Sequence, residues 1–201
     1  MLQAAWSLSL ASLTGDSDVL FGTTVSGRPT ELPGIGNTIG LFINTVPARV
    51  TVDKDQDLNG LLSTIGRTQA RMSAHDATPL MRIEQLAGCG ALFDSLVVHD
   101  NFPAAGSGDS GADADPDTIS VGEIHTDGRT DFPVSVVSPP GDTFRIVLAY
   151  RPDLVDRQFI DLAHRTLVKV LASYAIPDII EIVDEFPLTG VGKVSKKAQQ
   201  T

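Results

Sequence analysis

Few of the 201 residues are of a type and spacing that could do chemistry, and they are scattered. Asn44 stands out. In Leu41-Phe42-Ile43-Asn44-Thr45-Val46, strand alternation would place Phe42, Asn44 and Val46 on one face. A carboxamide among apolar neighbours must find partners, because leaving it buried and unpaired costs about 1–3 kcal/mol. Two readings stay open on the strand alone. Asn44 either bonds a bulge or a neighbouring loop, or faces a cleft where it orients a substrate or a catalytic partner. The four histidines, His75, His99, His125 and His164, lack metal-ligand spacing, and Cys89 sits between glycines with no CxxC partner. Asp113, Asp115 and Asp117 imitate the start of a calcium loop, but Ile124 stands where its bidentate glutamate belongs. Near the other end, Lys193, Lys196 and Lys197 follow a Gly190-Val191-Gly192 turn. Ammonium groups on so free a loop could offset developing negative charge, or simply decorate a frayed basic terminus.

Other familiar patterns fail on context. Gly34, Gly36 and Gly40 have the spacing of a dinucleotide fingerprint, yet a strand follows them where a helix is required. Ser26 precedes a glycine, but Thr24 and Arg28 occupy the flanking positions of a nucleophile elbow. No nucleophile–base pairing is readable anywhere in the chain.

The elements that must position these residues alternate in type. Leu2, Trp6, Leu10 and Leu13 recur at helical spacing and predict an amphipathic core helix. Residues 19–26 read as a strand, 27–38 as a Pro- and Gly-punctuated loop, and 41–52 as a long strand whose Pro47 points to a bulge or an edge. A helix is predicted over 58–72, with Leu58, Leu61, Leu62 and Ile65 along one face. A shorter one spans 80–86, stopped by Gly88 and Gly90. A third strand lies within 92–102. The small, acidic stretch 104–118 offers no apolar anchor and predicts a flexible surface loop. Strands follow at 119–125, 132–138 and 143–150, the last two a hairpin across Pro139-Pro140-Gly141. Phe159, Ile160, Leu162, Ala163, Leu167, Val170, Leu171 and Tyr174 then mark a helix over 156–174. A short apolar strand at 179–183 opens the basic tail. The fold class is α/β, a mixed sheet with flanking helices.

Composition bounds the function. A net charge of −10 argues against nucleic acid and anionic membranes as partners, since both require a basic surface. The single cysteine excludes an internal disulfide and fits the cytoplasm. No basic residue precedes the first apolar run, which speaks against a secretory leader, and no run is long enough to span a membrane.

Taken together, several segments resemble one family. Ile39-Gly40-Leu41-Phe42-Ile43-Asn44-Thr45 followed by Arg49 is similar to the Gly-x-Phe-x-Asn-Thr signature of condensation domains from nonribosomal peptide synthetases. Residues 21–29 resemble the strand and loop that precede it. His75-Asp76-Ala77-Thr78-Pro79-Leu80 resembles a weakened form of the next family motif, and 92–98 with Asn101 and Pro103 resembles the one after. The likeness runs in order over 1–174. It implies one lobe, the C-terminal one, of a two-lobed chloramphenicol-acetyltransferase-like fold with its active site in a tunnel between lobes. The implied reaction is amide formation between carrier-bound acyl and aminoacyl thioesters. Phosphopantetheine arms of carrier proteins would be its substrates rather than bound cofactors, and partners would be carrier proteins, other synthetase domains or a separate first lobe. By the same resemblance, Asn44, Ser26 and Arg28 would line the tunnel.

The family's first lobe carries a His-His-x-x-x-Asp-Gly motif. No adjacent histidine pair occurs here, so no catalytic set is complete and enzymatic activity of the chain itself stays open. The tail, Phe186-Pro187-Leu188-Thr189-Gly190-Val191-Gly192-Lys193 and onward, resembles the C-terminal signature of adenylate-forming enzymes, in which the lysine matching Lys193 reaches the substrate carboxylate and phosphate. The expectation is a truncated synthetase fragment: residues 1–174 from a condensation domain and 175–201 an adenylation-domain remnant. The alternative is a non-catalytic docking module.

Overall fold

The computed structural model describes residues 1–28, 33–99, 125–128, 131–138, 144–173, 179–183, 186–189 and 193–194; for the strands at 125–128, 186–189 and 193–194 only the backbone pairing is described. The sequence expectations for 104–118, for 119–124 and for the turn at 139–141 lie outside these residues. Among the described residues, helices and strands follow one another from helix α1 (Leu2–Thr14) and strand β1 (Asp18–Val25) to a two-residue strand in the tail. The hairpin partner of β1 is β2 (Asn44–Thr51). Helix α2 (Leu58–Met72) runs into a 3-10 turn (Ser73–His75) and then helix α3 (Leu80–Ala87). Strands β3 (Ser95–His99), β4 (His125–Gly128), β5 (Val134–Ser138) and β6 (Arg145–Tyr150) precede helix α4 (Arg157–Ala172). Strands β7 (Ile179–Val183), β8 (Phe186–Thr189) and β9 (Lys193–Val194) close the chain.

Six strands form one mixed sheet in the order β2-β1-β3-β5-β6-β7. The β1–β2 and β5–β6 pairs are antiparallel hairpins, whereas β1–β3, β3–β5 and β6–β7 run parallel. Alternation sorts the side chains by face. Val19, Phe21, Val97, Val136, Ile146 and Leu148 point to the helical layer, where Trp6, Leu61, Ile65, Ile160 and Leu167 complete the main core. Val137, Val147 and Ala149 form a smaller cluster.

Helix α1 is more deeply buried than an amphipathic stripe predicts. Leu2, Ala4, Ala5 and Trp6 are buried, as are Ser7 and Ser9, whose hydroxyls donate to the Ala4 and Ala5 carbonyls. Those local bonds let serine sit in a core at little cost. The Trp6 indole N–H donates to Ser95 Oγ at 3.0 Å and ties the helix to β3. Leu10 and Leu13, expected in the core, are only partly buried. In α4 the buried stripe is Ile160, Ala163, Leu167 and Leu171, while Phe159 and Leu162 are exposed.

Helix α2 matches its predicted limits, its first turn capped by the Asp57 carboxylate accepting from Gly60 N–H. Helix α3 ends at Gly88 in the left-handed region that only glycine adopts at low cost. Pro47 lies on the edge strand β2, where its missing N–H breaks no ladder.

Two expectations are corrected. The strand predicted over 41–52 begins only at Asn44, because β1 ends at its partner Val25 and offers no ladder beyond it. Leu41 and Ile43 therefore project into solvent. The segment 179–183, expected to open a separate tail, is the sixth strand of the main sheet, and Ile180 and Ile182 pack on the main core. Beyond it, β4, β8 and β9 form a second, antiparallel sheet.

Candidate functional site

The loop between β1 and β2 is built around Arg28. Its guanidinium donates to the carbonyls of Ile35 and Thr38 and lies over the Phe42 ring, 4.4 Å from the centroid. A planar fork that bonds and stacks at once is what arginine offers and lysine does not. Gly27 makes the approach possible. It has φ +57°, and a Cβ there would lie 1.9 Å from the Phe42 carbonyl oxygen. Ser26, between Val25 and this turn, is exposed.

Asn44 begins β2 on the helical face. Its carboxamide nitrogen donates to the carbonyls of Asp76 at 2.8 Å and Thr78 at 2.7 Å. Both bonds go to the connector between α2 and α3, so Asn44 holds a neighbouring loop, the first of its two readings. The structure thus holds two neighbouring sets of contacts, Arg28 with Phe42 and the 35–38 turn, and Asn44 with the Asp76–Thr78 connector. Arg49, which completes the signature, stands outside these contacts and lines the neighbouring cavity. It forms a bidentate pair with Asp18 on the exposed surface, and the hydrogen bonds from Arg49 hold the Asp18 carboxyl below its ordinary range. Exposed pairs of this kind contribute little to stability.

Asp76, whose carbonyl Asn44 engages, borders a cavity of about 320 Å³ between α2 and the face of β1 and β2. Val25, Val46, Val50, Ile65 and Met72 supply apolar wall, while Gln3 and Asp76 also line it. A second cavity of about 330 Å³ shares Gln3, Thr23, Ile65 and Gln69 and reaches Val97 and His99. The two form one groove beside the carboxyl ends of the parallel strands β1 and β3, where open α/β sheets receive ligands. Burial raises the Asp76 carboxyl above the ordinary aspartate range. The Gln3 carboxamide nitrogen donates to Thr23 Oγ1 at 2.8 Å, and among the described residues its buried oxygen has no donor.

Sequence reasoning missed Gln3, Thr23 and Asp76 as lining groups. Thr23 could have been found, since alternation with Val19 and Phe21 puts a hydroxyl on a core-facing position. Gln3 carried no such signal within an apolar helix. His99 lines the groove without a hydrogen-bond partner among the described residues, so it forms no pair with a hydroxyl or carboxylate there. Lys193 lies in β9, opposite Thr189 of β8. Among the described residues no three metal-ligating side chains cluster, and no helix is long and apolar enough to cross a membrane.

The sequence pattern of the Condensation domain family matches residues 1–176, from α1 past the end of α4. The chain belongs to this family. Among its relatives, surfactin synthase subunit 3 of Bacillus subtilis (strain 168) is 31% identical over 199 residues, which cover 94% of this chain and 16% of that protein. Vanchrobactin synthetase VabF of Vibrio anguillarum is 34% identical over 174 residues, or 86% of this chain and 6% of that protein. The chain thus spans a small part of the curated relatives it matches. The solved first condensation domain of the calcium-dependent antibiotic synthetase, in complex with a substrate analogue, shares the fold at TM-score 0.61 and 17% identity, over 87% of this chain and 38% of that one. The structure called holo T3CT does so at TM-score 0.63 and 19% identity, over 88% and 42%. The mixed six-stranded sheet with its helical layer is therefore a condensation fold of the chloramphenicol-acetyltransferase type.

Proposed function

We propose that this chain is the C-terminal lobe of a peptide-synthetase condensation domain, serving amide formation between acyl and aminoacyl groups carried as thioesters on phosphopantetheine arms. The observation that carries the proposal is the family match over 1–176, joined to Asn44, which ties the signature strand to the segment at Asp76. In this role Asn44 is a positioning residue that holds the connector bordering the groove, and Arg28 orders the loop that leads into its strand. Ser26 is exposed beside them and free to meet an incoming arm. The carriers of those arms, and the other synthetase domains, are its partners in a cytoplasmic assembly.

These residues alone do not complete the chemistry. The sequence holds no adjacent histidine pair, and a positioned general base contributes roughly 10²–10⁴ to such reactions. The segment from Phe186 onward, which follows the last strand of the main sheet, is read as adenylation-derived, supported by the order of residues from Phe186 to Lys197 beyond the family match. It lacks a nucleotide-binding region, so Lys193→Ala leaves amide formation unchanged. The test incubates the chain with loaded acyl and aminoacyl carrier proteins, with and without a histidine-bearing first lobe, and follows the amide by mass spectrometry. Product formed by the chain alone counts against the proposal.

A second reading, a docking module without catalysis, is favoured by the exposed apolar side chains of the loop and of α3. Ile39 and Leu41 are almost fully exposed, and α3 buries none of its residues although Met81 and Leu86 are apolar. Apolar surface of this kind marks an interaction face. Under this reading the chain binds a first lobe or a carrier protein and no amide forms in the reconstituted mixture.

A further inference from the structure

Strand β4 (His125–Gly128) takes its partner from outside the family match. It lies within the matched stretch, yet it is not one of the six strands of the main sheet. Among the described residues its one strand neighbour is β8, antiparallel and in register from His125 opposite Thr189 to Gly128 opposite Phe186. β8 stands beyond residue 176, where the match ends. β9 lines the far edge of β8, with Val194 opposite Leu188 and Lys193 opposite Thr189. A four-residue strand does not stand alone, because its backbone N–H and C=O groups need a ladder. In the solved structures that share this fold, the chain spans less than half of the polypeptide.

We propose that the β8–β9 pair is an intramolecular cap on β4, occupying the edge that an extended segment of a histidine-bearing first lobe takes when two lobes join. The tail and that lobe then compete for one strand edge. The competition rests on the reading of the chain as one lobe, whereas the cap rests on the strand pairing alone. Two features suit the tail to this role. It is delivered to the edge: five residue pairs with β6 fix β7 in the main sheet, and only residues 184 and 185 separate β7 from β8. So short a tether gives a high effective concentration. The cap is also displaceable. It consists of four residue pairs, one of them at Pro187, which has no N–H to give, and β9 braces only two of the four. A weak pairing at high local concentration holds the edge until a longer strand replaces it. Lys193 then serves the brace through its backbone pairing with Thr189.

The test locks the cap in the full chain. Thr126→Cys and Leu188→Cys are combined, at positions opposite each other in register, with Cys89→Ser removing the native thiol. Register partners lie within disulfide range. Thr126→Cys with Val194→Cys is the control, since those positions are two strands apart, roughly 9.5 Å, and out of range. Under mild oxidation the first pair closes within the monomer roughly tenfold faster than the control or more, read by mass spectrometry of the non-reduced chain. The locked chain is then titrated with a separately expressed first lobe of a related condensation domain, before and after reduction. The oxidised form binds roughly tenfold more weakly or worse, and reduction of the same sample restores the affinity. Equal closure rates for the two cysteine pairs overturn the cap. Equal binding by the locked and reduced forms overturns the competition. Binding by neither form refutes the one-lobe reading and the competition with it, while the closure rates still decide the cap.

Discussion

Replacing Asn44 separates a structural tether from a substrate contact, because its two hydrogen bonds are defined. The carboxamide nitrogen donates to the Asp76 and Thr78 carbonyls at 2.8 and 2.7 Å. A hydrogen bond contributes a net 0.5–1.5 kcal/mol or so, and both acceptors here are only partly buried, so water can replace the lost donor in part. Asn44→Ala is therefore expected to cost about 2 kcal/mol. For a chain of this size that lowers Tm by about 4–8 °C. Asn44→Asp removes the donor and sets an acceptor against two carbonyl oxygens, so its cost is larger, on the order of 3 kcal/mol or more. Urea and thermal unfolding measure both. Hydrogen exchange locates the effect: the turn bonds from Asp76 N–H to Ser73 and from Thr78 N–H to His75 lose protection first. An Asn44→Ala chain with unchanged Tm and unchanged exchange across 73–79 would refute the tether.

Three further outcomes are expected. Gly27→Ala forces a left-handed φ on alanine and drives its Cβ into the Phe42 carbonyl; urea unfolding should show a loss of about 3 kcal/mol or more, and a loss under about 1 kcal/mol contradicts the geometry. Gly22→Ala places a Cβ 2.3 Å from the buried Phe93 ring, itself stacked on Phe132 at 5.4 Å. That should cost about 1–3 kcal/mol and change the near-UV circular dichroism, whereas an unaltered spectrum and melt argue against the contact. Burial holds the Asp76 carboxyl above the ordinary aspartate range, so the folded chain keeps that proton to higher pH than the unfolded chain. Its contribution to stability is present below the unfolded value and declines as pH rises through the raised one. Asp76→Asn should thus gain stability relative to the unaltered chain as pH rises through that window, and a difference independent of pH would contradict it.

The helices and most strands are legible in the sequence because their burial follows simple periods. Leu58, Leu61 and Ile65 mark α2, and β-branched residues mark β5 and β6. What is not legible depends on contacts distant in sequence. The apolar run Leu41-Phe42-Ile43 has strand composition, yet β1 ends at Val25 and the Arg28 guanidinium engages Phe42 outside the sheet. Likewise the strand at 179–183 is readable, but nothing in its composition reveals that it pairs with β6. Asn44 declares its need for partners through its apolar neighbours. Which partners it takes is set by a connector more than thirty residues away. The groove is harder still to read, since Gln3, Thr23 and Asp76 come from three separate elements.

The central claim, that this lobe serves amide formation only together with a histidine-bearing partner, is tested most directly by reconstitution. Purified chain is mixed with loaded carrier proteins, and a separately expressed first lobe of a related condensation domain is titrated in while the amide product is quantified. The account predicts no product from the chain alone, and product that rises and saturates with the added lobe. Turnover without that lobe would contradict it, and so would a stable complex of the two lobes that forms no amide.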